Sequence, residues 1–217
     1  MRFLYAAICG IAAPLLLSTT LVLAGDTQSP VVKIRVGDIW TYKETDDIES
    51  TARPNLVFAV TEATDKQFTV RVRAVNAAAG NLIVFDYDWN AIQQGSTVYT
   101  PNDGRGAPGN ADVGSEWKSA FKWKALNAGG GGRGEATGRC SAKEQIETEA
   151  GTFDVLKCVN IIKVKPPNGA GVVTETEITT WYAPKTLRWA KRTFVTKVGG
   201  HVTESKTQEL ISFELKT

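Results

Sequence analysis

The chain is short of most residues that do chemistry. It has one histidine, His201, one methionine, Met1, and three cysteines, Cys9, Cys140 and Cys158. A serine or cysteine nucleophile ordinarily works through a histidine base, and His201 follows Gly199-Gly200, the composition of a hairpin turn. No Gly-x-Ser-x-Gly elbow occurs either. One histidine with Cys140 and Cys158 makes a poor tetrahedral zinc set. Asp86, Asp88 and Asn90 mimic the start of a calcium loop, but the required glycine and the closing glutamate are missing, so they read as the wet face of a strand. Asp and Glu are plentiful enough to keep carboxylate-pair hydrolysis open on composition alone. These absences leave no catalytic residue, no metal ligand and no cofactor to name, and the expectation is a protein that is not an enzyme.

Charge of one sign is lacking too. Lys and Arg number 25 against 23 Asp and Glu, a net charge of +2, with the two signs interspersed. Nucleic-acid binding calls for a clustered basic face, so no nucleic-acid partner is expected. Beyond residue 24 no apolar run is long enough to span a bilayer.

The first residues are different. Met1-Arg2 supplies one positive charge, Phe3 to Ala24 is uncharged, and Val22-Leu23-Ala24 precedes Gly25-Asp26. This is the pattern of a secretory signal peptide over residues 1–24, cleaved after Ala24. A permanent anchor is the competing reading, because about 20 apolar residues can span a membrane. Pro14 and Ser18-Thr19-Thr20 interrupt the run and disfavour it. Lipidation at Cys9 is disfavoured by Ile8, which stands where a small residue is needed. The expected product is a single periplasmic domain, 25–217, touching the membrane only through its leader before cleavage. In that oxidising compartment Cys140 and Cys158 are expected to form a disulfide. A two-residue turn at Ala150-Gly151 would pair 140 with 161, so the bond requires a bulge or a longer turn.

The rest of the chain alternates with period two. In Phe68–Ala74 the residues Phe68, Val70, Val72 and Ala74 share one face, and in Ile83–Trp89 so do Ile83, Phe85, Tyr87 and Trp89. Further strands are expected at Ile39–Thr45, Leu56–Glu62, Glu116–Ala125, Ala136–Glu149, Thr152–Lys165, Val172–Tyr182, Leu187–Lys197 and His201–Leu215. Tight turns such as Pro166-Pro167-Asn168-Gly169 punctuate them. The expected fold is all-β: about ten antiparallel strands in a curled, partly closed barrel or a two-sheet sandwich, with little helix outside the leader. Two stretches read as loops, Thr100–Asp112 for its Gly and Pro, and Ala128–Gly134 for its five glycines around Arg133. A weak pseudo-repeat relates 36–90 to 113–183: Val36-Gly37-Asp38-Ile39-Trp40 recurs as Val113-Gly114-Ser115-Glu116-Trp117, and Thr61-Glu62-Ala63 as Thr148-Glu149-Ala150.

Tryptophan is the abundant resource, with six: Trp40, Trp89, Trp117, Trp123, Trp181 and Trp189. Most such rings fill a core, but they also line apolar pockets. Trp117, Phe121 and Trp123 share a strand face beside the Gly-rich Ala128–Gly134 segment and are the ligand-lining candidates. The run Trp181-Tyr182-Ala183-Pro184 leading into Arg188-Trp189-Ala190-Lys191-Arg192, with Glu149-Ala150-Gly151-Thr152-Phe153-Asp154, resembles a family of exported bacterial β-rich domains of unknown function. That family is similar in shape to the LolA/LolB lipoprotein carriers. Leu187 stands where the family often has glycine. The resemblance implies the fold and the compartment; with export and the aromatic count it leads to the expectation of a non-catalytic envelope protein holding an acyl-chain or other amphipathic ligand in a curved sheet. The alternative is a structural or assembly accessory that binds another envelope protein through sheet edges or the two Gly-rich loops.

Overall fold

The computed structural model describes residues 33–165 and 171–217. The leader, residues 1–24, and the Pro166-Pro167-Asn168-Gly169 turn lie outside them. Twelve strands follow one another: β1 (Ile39–Asp46), β2 (Thr51–Ala63), β3 (Gln67–Ala74), β4 (Asn81–Asp86), β5 (Ala91–Gln94), β6 (Thr97–Thr100), β7 (Glu116–Ala125), β8 (Gly131–Thr148), β9 (Gly151–Lys165), β10 (Thr174–Ala183), β11 (Arg188–Val198) and β12 (His201–Glu214). Each pairs antiparallel with its sequence neighbours, and β1 pairs with β12, so the sheet closes into a barrel. Closure, rather than a second sheet, buries one face of every strand. That is why period-two alternation runs through the whole chain.

β5 and β6 are the strands that the alternation does not announce. At four residues each they are too short to show a period. Asp86, Asp88 and Asn90 are not the wet face of a strand. β4 ends at Asp86, and its carboxylate accepts from the Asp88 and Asn90 backbone N–H groups (3.1 and 2.9 Å) and from Asn102 Nδ2 (2.8 Å), building the turn that follows. Gly131–Gly134 is the start of β8, not a loop.

Up-and-down order sends the β1–β2, β3–β4, β5–β6, β7–β8 and β11–β12 turns to one end of the barrel, the upper end. The lower end is filled by two devices. First, the β6–β7 connection folds inward. Asn160, fully buried on β9, donates to the carbonyls of Gly104 (3.1 Å) and Gly106 (3.0 Å), and Arg192 Nη2 donates to the Arg105 carbonyl (3.0 Å). A Cβ at Gly104 would lie 2.2 Å from Ser119 Oγ, so the loop lies directly on the inner wall. Second, the β8–β9 hairpin is long enough to curl across the end. The Ala150 N–H reaches the Leu210 carbonyl (3.3 Å), and Phe153 packs edge-on against Phe213.

The bend in that hairpin settles the cysteine register. The turn sits one residue earlier than Ala150-Gly151, pairing Thr148 with Gly151, and a bulge between Cys140 and Ala142 brings Cys140 opposite Cys158. The two form a disulfide. The two Val-Gly segments also make matching bonds. Gly37 N–H donates to the Val60 carbonyl while Val60 N–H donates to that of Asp38, and Gly114, Cys140 and Ser115 do the same.

Candidate functional site

Four residues shape the site before any side chain enters it. Pro184–Thr186 forms a 3-10 turn between β10 and β11, and Leu187 then adopts left-handed backbone angles, φ 58° and ψ 16°. Glycine is the residue suited to that conformation. Three aromatic donors from other elements pin the carbonyls around it. Trp40 Nε1 donates to the Thr186 carbonyl (2.8 Å), Trp89 Nε1 to that of Leu187 (3.0 Å), and the Tyr42 hydroxyl to that of Trp189 (2.8 Å). Trp89 itself has a positive φ of 63°. The residue held between these anchors is Arg188.

Its guanidinium is 1 % exposed and lies within a cage of rings. The Cζ atom is 3.9 Å from the Phe58 and Trp189 ring centroids, 4.5 Å from Trp89, and 5.2 and 5.3 Å from Trp40 and Tyr42. Ring faces offset part of the cost of burying a cation. They do nothing for its N–H edges: Nε, Nη1 and Nη2 all lack a hydrogen-bond partner among the described residues. Burial, with a smaller contribution from the nearby Arg192 charge, holds the Arg188 pKa down to about 9. Arg192 is buried too and is held down to about 10, but its Nε donates to Thr180 Oγ1 (3.1 Å).

Arg188 borders an interior cavity of about 600 Å³ that reaches the β3–β4 turn at the upper end. Leu56, Phe58, Val72, Ile83, Phe85 and Phe194 give it apolar walls. Arg73, Arg105, Arg188, Arg192 and Lys206 also line it, against one acid, Glu44. Most of these charges have partners. Glu44 accepts from Gln208 (2.7 Å), Lys206 pairs with Glu204 (2.8 Å), Arg105 pairs with Asp103, and Arg73 donates to the Val75 carbonyl (2.7 Å). Arg188 differs from them in having no donor engaged.

Trp117, Phe121 and Trp123 do share the inner face of β7, but they line none of this cavity. They stand opposite Gly138, Gly134 and Gly132 of β8. A Cβ at Gly134 would fall 2.1 Å from Phe121 Cζ, and one at Gly138 would fall 2.1 Å from Trp117 Cε2, so the rings lie flat on the glycine backbone. Phe121 is buried with Ala136, Ile162 and Ile178, Trp117 packs beside the disulfide, and Trp123 is half-buried. Arg188 and Arg192 escaped the sequence reading because a basic strand is ordinarily read as a solvated one. The available signal was their placement at 188 and 192, in step with the apolar Ala190 and Phe194. His201 begins β12 and is exposed. Among the described residues no group of three or more His, Cys, Asp or Glu is placed to hold a metal.

No family model matches the sequence, and no curated protein does. Solved structures show a likeness of outline. A candidate lipoprotein from Parabacteroides distasonis aligns over 83 % of this chain and 96 % of its own, at 13 % identity and a TM-score of 0.49. A candidate exported protein with a YmcC-like fold from Bacteroides fragilis aligns over 83 % and 97 %, at 11 % identity and a TM-score of 0.49. The hypothetical lipoprotein YmcC from Escherichia coli aligns over 79 % and 83 %, at 9 % identity and a TM-score of 0.45. With TM-scores below 0.5, these likenesses say nothing about what this chain binds.

Proposed function

We propose that this chain is an exported, non-catalytic binding protein of the bacterial envelope, working in the periplasm and holding an amphipathic ligand inside its barrel. The observation that carries the reading is the interior cavity of about 600 Å³, with an apolar wall and five basic side chains along its lining. Cavities of that size and character are the usual sites for small ligands. The leader pattern and the disulfide suit an oxidising compartment outside the cytoplasm. The accessory alternative loses its sheet-edge route among the described residues, because their closed strand order leaves no edge strand.

The test uses a neutral apolar fluorophore, 1-aminoanthracene, titrated into the purified protein. Trp189 borders the cavity, so saturable binding should quench tryptophan emission, and dodecanoate should displace the probe. Absence of saturable binding by both compounds would end the carrier reading.

A further inference from the structure

We infer that the cavity takes its ligand head-first: the anionic head of a single-chain amphiphile, a carboxylate or a phosphate, docks on the Arg188 guanidinium while the chain runs toward the upper end. This rests on the carrier reading above and adds to it the class of ligand and the residue that selects it.

A buried cation without hydrogen bonds is costly, and natural interiors nearly always satisfy such a group. Here the backbone on both sides of Arg188 is anchored by Trp40, Trp89 and Tyr42, while the side chain has ring faces around it and, among the described residues, no acceptor. The structure therefore fixes the guanidinium in place at the border of the cavity, with its N–H groups buried and without an acceptor among the described residues. A planar fork held this way is suited to two parallel bonds from a carboxylate or phosphate.

Position along the barrel supplies the orientation. β11 runs from Arg188 at the lower end through Arg192 to Phe194 and onward to Val198 near the upper-end turn. Arg188 and Arg192 thus lie deep. Phe194, Val72 and Leu56 lie nearer the rim, where Ala79 and Gly80 close the lining. The inward β6–β7 loop contributes Arg105 to the same end. Three of the five cations, Arg188, Arg192 and Arg105, lie at the inner end, whereas Arg73 and Lys206 stand toward the rim and are already engaged by the Val75 carbonyl and Glu204. A ligand entering chain-first would place methylenes against the unpartnered guanidinium and leave its own charge to rim cations that already have partners.

The experiment is calorimetric titration with a twelve-carbon series that differs in the head: dodecanoate, dodecyl phosphate, dodecanol and dodecyltrimethylammonium. Acetate and inorganic phosphate are added as heads without chains. Dodecanoate and dodecyl phosphate are expected to bind at least tenfold more tightly than dodecanol. Comparing the two anions decides between carboxylate and phosphate. Arg188→Met should bring the anions level with the alcohol, and Arg188→Lys should keep part of the preference, with near-UV circular dichroism checking that each variant is folded. Equal binding of dodecanol and the anions, or a preference that survives in Arg188→Met, would overturn the inference and leave the carrier reading standing. No binding by any chain would overturn both. Should Arg188→Met fail to fold, the head-group series on the parent protein decides alone.

Discussion

The two sides of the barrel interior use aromatic rings in opposite ways. Across β7 and β8, Trp117, Phe121 and Trp123 are laid on Gly138, Gly134 and Gly132, ring on backbone. Across β1, β2 and β11, Trp40, Tyr42, Phe58 and Trp189 stand around a guanidinium, and a cavity opens beside them. One wall is optimised for packing. The other accepts a buried charge that packing alone would not favour. Stability and binding should therefore be separable by mutation, and the wall that looked like a ligand platform in the sequence should carry the stability.

The sharpest break in that comparison is Phe121→Ala. On the packed wall it should cost about 3–5 kcal/mol, as loss of a large core ring does, with little change in dodecanoate affinity. Urea denaturation measures the first and calorimetry the second; a small cost with lost binding would invert the roles of the walls. Replacing Cys140 and Cys158 together by alanine should cost about 3 kcal/mol through the loop the bond closes, again read from urea midpoints against the parent. Gly134→Ala should cost about 1–3 kcal/mol, because its Cβ meets the Phe121 ring. Adding Phe121→Leu should recover part of that loss in a double-mutant cycle, and independent costs would show that ring and glycine are uncoupled.

The smallest expected change has the opposite sign. Arg188→Met exchanges an unpartnered buried charge for an apolar side chain, a kind of replacement that is often neutral or stabilising by roughly 1 kcal/mol or more. The pH dependence follows from the depressed pKa of Arg188. Below about pH 9 the folded and unfolded proteins both carry the proton, so the desolvation cost is fully present. As pH rises beyond that toward the ordinary arginine value, the folded protein releases its proton first and the cost fades. The stability gap between Arg188→Met and the parent should narrow over that range in thermal melts. A gap independent of pH would mean that burial of the charge is not its source.

Most of the fold was legible because one face of every strand is buried, and alternation reports burial directly. The ten longer strands are visible in this way, while Ala91–Gln94 and Thr97–Thr100 are too short to register. Gly131–Gly134 looked like a loop since composition cannot show that each glycine has a ring from the neighbouring strand lying on it. The site was harder for the same reason. Trp117, Phe121 and Trp123 stand out in the sequence, yet what decides their role is the residue across the ladder, set by register. Arg188 is unremarked among the basic residues of its strand until the pinned carbonyls of Thr186, Leu187 and Trp189 show that it points inward.

The strand order also has a consequence for how the molecule is assembled. Every pairing but one joins strands consecutive in the chain, and the exception is the seam where Ile39 meets Glu214. Hairpins form from more local contacts, whereas the seam carries the largest sequence separations of any strand pairing and the entropy of closing the longest loop. The inward β6–β7 loop is held by Asn160 on β9 and Arg192 on β11, two and four strands along from β7, so its bonds need the sheet to curl. Closing the barrel and swallowing the loop are then one late step. Weakening Asn160 should slow that step and leave the hairpins untouched.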